Sequence, residues 1–339
     1  MSPPPPLSVV MPVHNGMPYV AESVASILAQ RFTDFEFVIG DDGSSDGTSQ
    51  LLAGLAAQDS RIRLLRRESK SGLAAAANWV VSEARAPLVA ISHADDLAHP
   101  DRLGKQIEAF AREPAASLIG TLSTGMDAGG RVVHPPNMWP LTHPTVFAPF
   151  AHSSVMFRRD NFHRAGGYRQ GVELWEDLDL YWRMLETGPI FVIPEILSNY
   201  RHSRVSVRDR AGDEQFERSV ALMYHASRAY LEGRSYDDLR TGKADLPAKL
   251  PPRVFVSRTW IRIWNGERPS TVRRLLRRGD LRLDRASLQT LVLLGAATVS
   301  PKGLRRLLAL ITGGRNRLAA RRLAGRSLVE WRPRDAAPR

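Results

Sequence analysis

In its first 202 residues the sequence sets two acids side by side three times: Asp41-Asp42, Asp95-Asp96 and Glu176-Asp177. Neighbouring carboxylates repel one another and are costly to take out of water, so each pair either faces solvent or meets a counter-charge. Mg2+ and Mn2+ are hard cations that take one or two such carboxylates together with the phosphates of a substrate. Asp95-Asp96, in the run HADD, is the sharpest of the three. Alone it reads as a solvated loop; on a rim shared with Asp41-Asp42 it reads as a metal–nucleotide site. Asp41-Asp42 opens GDDGSSDGT (40–48), whose glycines suit tight turns and whose Ser, Thr and Asp suit helix capping. Asp42 and Asp46 also alternate with small residues as calcium ligands do, but the remaining ligand positions and a closing Glu are missing. Glu176-Asp177 precedes Leu178, Tyr181, Trp182 and Leu185, an apolar helical stripe. An acid there either answers the helix dipole or, at the mouth of an apolar pocket, serves as a general base. His202, in YRHSRVS (200–206), is open between metal ligand, phosphate contact and structural histidine.

These side chains need a frame, and the first 120 residues supply its pattern. Leu7 to Val13 reads as a strand, and Val20, Val24, Ile27 and Leu28 stripe a helix. Phe35 to Ile39, Ile62 to Leu65, Leu88 to Ile91 and Ala116 to Ile119 read as further strands. Leu51, Leu52 and Leu55 mark one intervening helix, Leu73 to Ala84 another, and Leu103, Ile107 and Phe110 a third. Alternating strands and helices predict an α/β fold with a mostly parallel sheet and helices on both faces. Ligands of such sheets bind at the carboxyl ends of the strands. His14-Asn15, Asp41-Asp42 and Asp95-Asp96 all fall there. Farther on, Ile190 to Ile193 predicts a strand that turns at Pro194.

The chain has 339 residues, 43% of them hydrophobic and 24% charged, enough for one large domain or two ordinary ones. It has no cysteine, which excludes disulfides, thiolate metal sites and a cysteine nucleophile and fits a reducing cytosol. Its start lacks the basic and apolar regions of a signal peptide, and no window is long and apolar enough to span a bilayer. The net charge of +12 is unevenly placed: residues 1–202 carry −5 and residues 203–339 carry +17.

Taken in order, the blocks SVVMPVHNGMPYVAESVASILAQRFTDFEFVIGDDGSSDGT (8–48), ADD (94–96), HSSVMFRR (152–159), GGY (166–168), WEDLDLYWRM (175–184) and NYRHSRVS (199–206) resemble the family 2 inverting glycosyltransferases of GT-A fold. The resemblance covers about residues 7–206. It implies a Rossmann-like catalytic domain at 1–206, with a nucleotide-sugar half at about 7–120 and an acceptor half at about 121–206. Residues 207–339 would form a basic, mainly helical C-terminal region. The resemblance further implies transfer of a sugar from a UDP- or dTDP-linked donor to a hydroxyl acceptor in surface polysaccharide or glycolipid synthesis. Pro12 and His14 would line the base, Asp42 beside Asp41 would bond a uracil-like ring, and Asp95 would contact the ribose or sugar. Asp96 would hold Mn2+ or Mg2+ at the diphosphate, with Arg201 and His202 close by and His202 counted as a second metal ligand. Asp177 would deprotonate the acceptor, with Glu176 beside it. The sequence departs from the family at Ala77-Asn78, where Arg-Asn is frequent, so that a donor or phosphate contact is either missing or supplied by Lys70, with Asn78 kept among the nucleotide-sugar contacts. It departs again at Arg169, where an Asp is common.

In the tail, Leu304, Leu307, Leu308 and Ile311 form a helical stripe flanked by Lys302, Arg305 and Arg306. Such a helix either lies on an anionic membrane surface, such as the inner leaflet where lipid-linked acceptors sit, or packs on the catalytic part. Nucleic-acid binding through the tail, and a nucleotide-binding relative without catalysis, are the alternative readings. The tail has few aromatics for base stacking.

Overall fold

The computed structural model of the chain describes residues 4–134, 150–170, 176–201 and 325–331. They build a ten-stranded sheet. Strands β1 (Leu7–Val13), β2 (Phe35–Asp42), β3 (Ile62–Arg67) and β4 (Leu88–Ile91) are parallel, in the order β3-β2-β1-β4. Beyond β4 come β8 (Met156–Arg158), antiparallel, then β6 (Leu118–Met126) and β9 (Ile190–Arg201), parallel to each other. The edge strand β10 (Val329–Trp331) runs antiparallel to β9. Two short strands complete the set: β5 (Leu97–Ala98) pairs with β9 and β7 (Val132–His134) with β6.

Side chains alternate across each strand, and the core splits accordingly. Val10 and Val38 point to one face, where they meet helix α3 (Leu73–Ser82) and helix α6 (Glu176–Leu185). Val9, Met11, Phe37 and Ile39 point to the other, against α1 (Val20–Leu28), α2 (Thr48–Gln58) and α4 (Arg102–Arg112). A short helix, α5 (Arg159–Arg164), follows β8. Helix α3 lies so close to β2 that a Cβ on Gly40 would stand 2.3 Å from Val80 Cγ1, so only glycine fits there.

Strand order reverses direction between β1 and β4, and the crevice that opens at such a switch point is where α/β sheets take ligands. His14 leaves β1 on one side of it; Asp95 and Asp96 follow β4 on the other.

The expected mostly parallel α/β architecture is the one observed. Two local expectations differ. Pro194 does not end a strand: β9 continues to Arg201, and the register with β6 slips around Thr121–Ser123, a bulge that accommodates a residue with no N–H. The segment 329–331, within the stretch expected to be mainly helical, is a strand added to the catalytic sheet. The tail helices proposed around Leu304–Ile311, and His202, lie outside the described residues.

Candidate active site

The loop after β1 and the loop after β2 are laced together. Asn15, which adopts a left-handed backbone (φ 53°), donates its N–H to Ser44 Oγ (2.9 Å) and accepts from the Ser45 N–H at Oδ1 (2.8 Å). The Gly16 N–H donates to Thr48 Oγ1 (2.9 Å) and the Met17 N–H to Asp46 Oδ2 (3.0 Å). Asp46 is thereby a capping residue of α2, and bonds from Thr48, Met17 and its own backbone hold its pKa low despite the opposing effect of burial.

Asp41 and Asp42 serve the same frame. Asp41 accepts the Ser44 N–H (3.0 Å) and the Ser49 hydroxyl, while Arg66 Nε approaches to 3.7 Å. Asp42 turns to another loop and accepts the Ser71 N–H (2.8 Å), the Ser71 hydroxyl (2.7 Å) and the Gly72 N–H (3.2 Å). His14 Nδ1 lies 2.9 Å from the Asp42 carbonyl. A carbonyl only accepts, so Nδ1 carries the proton and Nε2 is the acceptor that the Asn15 amide meets at 3.4 Å. Pro12, on β1 opposite Gly40, is half-buried beneath this rim.

Across the crevice, His93, Asp95 and Asp96 bring one ligand atom each within 4.8 Å of the others. Asp96 is buried, its Oδ1 accepting the Arg201 backbone N–H (2.8 Å) and its Oδ2 the Ser153 hydroxyl, with His93 Nδ1 at 3.5 Å. Burial, and then the charge of Asp96, push Asp95 up to about 6 against the pull of His93 and Arg201. Burial also works against the His93 cation, but its contact with Asp96 and the charges of Asp96, Asp95 and Glu176 outweigh it and raise its pKa. Two carboxylates and an imidazole form a donor set suited to Mn2+ and acceptable to Mg2+. A divalent ion would also relieve the repulsion that lifts Asp95. Arg102 lies buried beside Asp96, its pKa brought down to about 10 by burial against the pull of that carboxylate.

The third acidic pair stands at the start of α6, facing the same histidine. Burial, and then the Asp177 charge, push Glu176 up to about 8. Burial raises Asp177 as well, while the Leu178 N–H (2.8 Å to Oδ1) and His93 draw it back. Glu176 therefore keeps its proton near neutrality, and Asp177 is the member of the pair left to act as a general base.

Arg201 does not point into the crevice. Its buried guanidinium donates to the carbonyls of Asp95 (2.8 Å) and Ala128 (3.0 Å) and to Glu22 Oε2 (2.7 Å), and stacks 4.3 Å above the Tyr19 ring. Asn78 is likewise committed elsewhere. Its amide donates to the Tyr168 carbonyl (2.7 Å) and accepts the Tyr168 N–H (2.8 Å), pinning the Gly-Gly-Tyr turn. Gly167 in that turn has φ +63° and would bring a Cβ to 2.7 Å from Asn78 Oδ1. Arg169, the departure from the family's Asp, sits 3.6 Å from the buried Asp179. Of the expected site residues the structure thus gathers Asp95, Asp96, Glu176 and Asp177 around one centre. It sets Pro12, His14 and Asp42 on the facing rim and places Asp41, Asn78 and Arg201 as framework. His93, Ser153 and His152 were not singled out; the spacing of His93 two residues ahead of Asp95 was the available signal.

The switch-point crevice thus carries a histidine–carboxylate donor set on one side and a buried acid pair near it, and the comparisons give it a class. The family model described as glycosyl transferase family 2 matches residues 8–169. The putative glycosyltransferase EpsE of Bacillus subtilis is 31% identical over 232 residues, covering 66% of this chain and 82% of EpsE. The chain belongs to the family 2 glycosyltransferases, and it is a glycosyltransferase. Chondroitin synthase of Escherichia coli is 27% identical over 195 residues, 57% of this chain but only 28% of that longer protein. Among solved structures, a mannosyltransferase from Pyrobaculum calidifontis in complex with GDP-Man and Mn2+ superposes with TM-score 0.57 at 18% identity, covering 96% of this chain and 89% of that one. S. aureus TarS 1-349 in complex with UDP-GlcNAc superposes with TM-score 0.53 at 18% identity, covering 76% and 80%. These likenesses fix the fold. Among the described residues no helix is long and apolar enough to cross a membrane.

Proposed function

We propose that this chain transfers a sugar from a nucleoside-diphosphate sugar, UDP- or dTDP-linked, to a hydroxyl of a glycan or lipid-linked acceptor, with inversion at the anomeric carbon. The reading makes it an enzyme of surface polysaccharide or glycolipid synthesis, in keeping with relatives named for teichuronic acid and chondroitin synthesis. The observation that carries it is the placing of His93 between two acid pairs: Asp95 and Asp96, suited to a cation, and Glu176 and Asp177, suited to base catalysis.

His93, Asp95 and Asp96 would hold Mn2+ or Mg2+, which supplies positive charge to the departing diphosphate. His202 is the further candidate ligand from sequence. Asp177 takes the acceptor proton while the acceptor oxygen attacks the anomeric carbon; the bond to the diphosphate breaks and the pair of electrons leaves with it. Glu176, holding its own proton, does not compete for that role. His14, Pro12 and Asp42 shape the base and ribose side, and the Asp41 and Asn15 bonds keep that rim in place beforehand. Basic helices of the Arg-rich region 207–339, outside the sheet strand 329–331, dock on an anionic inner-leaflet surface near a lipid-linked acceptor, which makes this a cytoplasmic, peripheral protein.

Thermal shift against UDP-, dTDP- and GDP-sugars with and without Mn2+ tests the donor reading. Stabilisation by a UDP- or dTDP-sugar only when Mn2+ is present is expected; stabilisation by GDP-sugars alone, or by none, overturns it. Salt-sensitive pelleting with anionic liposomes, set against a gel shift with random DNA, tests the tail.

A further inference from the structure

His152 and Ser153 are neighbours on one 3-10 turn (His152–Ser154), and each reaches a different half of the site. Ser153 donates its hydroxyl to Asp96 Oδ2. His152 bridges two tyrosines, with Nδ1 2.8 Å from the Tyr181 hydroxyl and Nε2 2.9 Å from the Tyr168 hydroxyl. Tyr181 lies four residues after Asp177 in α6, so both occupy one face of that helix. The ring of His152 also stands 5.2 Å from that of His93, tilted by 32°.

The turn itself is braced from below. Arg102 Nη1 donates to the Ser153 carbonyl and to that of Ile91 (3.1 Å). Gln106 Nε2 donates to the carbonyls of Ser154 (3.0 Å) and Ile119 (2.7 Å), and the Ser154 hydroxyl donates to the Thr121 carbonyl (3.1 Å). A neutral imidazole has one donor and one acceptor nitrogen, so the bridge runs one way: one tyrosine gives its proton to His152 and the other receives one. Neither tyrosine can turn away without leaving a buried polar group unmet.

We propose that His152 is a positioning residue of the transfer reaction: through Tyr181 it fixes the rotation of α6 that aims Asp177, while Ser153 beside it fixes the Asp96 carboxylate, so that one turn sets the separation of base and cation. The proposal rests on the roles given above to Asp96 and Asp177. It separates two functions that neighbouring residues would otherwise share. His152 governs the chemical step and Ser153 the affinity for the cation.

The test uses the full chain and its variants, with Mn2+ titrated by electron paramagnetic resonance in the presence of UDP. Turnover is followed with whichever nucleotide sugar the native chain consumes fastest. His152→Phe is expected to lower kcat by roughly 10²-fold, the effect of a small misplacement of the base, with Mn2+ affinity and donor KM within about twofold of native. His152→Gln, whose amide also offers one donor and one acceptor, restores kcat to within about tenfold of native. Tyr181→Phe shares the loss, and the double variant is no worse than His152→Phe alone, because both break the same bridge. Ser153→Ala instead weakens Mn2+ binding by about tenfold, the effect of one lost hydrogen bond to a charged group. If His152→Phe does not fold, the Gln and Tyr181 variants carry the test. Native kcat in these variants, losses that multiply in the double variant, or parallel losses of Mn2+ affinity and kcat overturn the proposal. Asp177→Asn and Asp96→Asn are run alongside. Activity in either overturns the underlying assignment and the proposal with it, whereas inactivity in both with native kcat in His152→Phe overturns the positioning role alone.

Discussion

Asp41-Asp42 and Asp95-Asp96 each lie at the carboxyl end of a parallel strand of the same sheet, but the first pair diverges and the second converges. Asp41 and Asp42 are still within β2, where successive side chains point to opposite sides. One is taken by Ser44 and Ser49, the other by Ser71 and Gly72, and two loops are tied down. Asp95 and Asp96 lie past the end of β4, where the backbone is not held to that alternation. Both reach the same place as His93, and burial, then the charge of Asp96, lifts Asp95 to about 6. Two identical dipeptides are thus held differently: the strand-bound pair ties two loops down, and the loop-borne pair converges with His93 in a donor set suited to a cation.

Breaking each pair tests that contrast. The largest effect is expected for Asp96→Ala and Asp177→Ala, each lowering transfer by about 10³-fold or more while circular dichroism and thermal unfolding remain those of a folded protein. Full turnover by Asp177→Ala at saturating donor removes it from the base role. Asp41→Ala should do the reverse. It leaves the Ser44 N–H and Ser49 hydroxyl without their acceptor and costs about 1–3 kcal/mol in urea unfolding, with activity of the folded fraction kept within several-fold. A dead but fully stable Asp41→Ala would show that the two pairs are not divided in this way.

The Glu176-Asp177 pair sharpens the contrast through pH. Glu176 titrates at about 8 in the folded chain against an ordinary value of 4.5, so between those values the folded state holds a proton that the unfolded chain has released. Stability contributed by that group is therefore lost as pH rises from about 5 to about 8, and Glu176→Gln flattens the slope of Tm against pH by a few degrees over that range. The smallest effect belongs to Glu22. Its carboxylate is 62% exposed where it meets the buried Arg201, so Glu22→Gln should cost about 1 kcal/mol or less. Arg201→Ala, which empties a buried clamp on the Asp95 carbonyl, should cost several times more in the same unfolding assay.

Much of the frame was legible in the chain. Short β-branched runs and helical stripes placed β1 to β4 and α1 to α4 within a few residues, because each element buries one face whose period is set locally. Pro194 misled, since a bulge and a turn ask for the same residue and only pairing with β6 tells them apart. The sequence offers Asn78 and Arg201 as donor-side contacts, and in the structure the first bonds the Tyr168 backbone and the second the Asp95 and Ala128 carbonyls. An amide or guanidinium satisfied by backbone carbonyls is indistinguishable in sequence from one that awaits a ligand. His152 sits far in sequence from Asp96 and Asp177, and no spacing rule links the three.

The sequence by itself determined the α/β class, the sorting of side chains to two faces of one sheet, and the acids whose placement after strands put them on the rim. Those follow from periodicity and from the chain direction of parallel strands, which are local properties. Only the tertiary structure decided which acids share a centre and which serve the frame, that His93 joins Asp95 and Asp96, and that Arg201 turns inward to clamp. The reason is that desolvation, repulsion and hydrogen-bond satisfaction depend on groups brought together across 57 to 179 residues of chain, and a sequence carries no term for that distance.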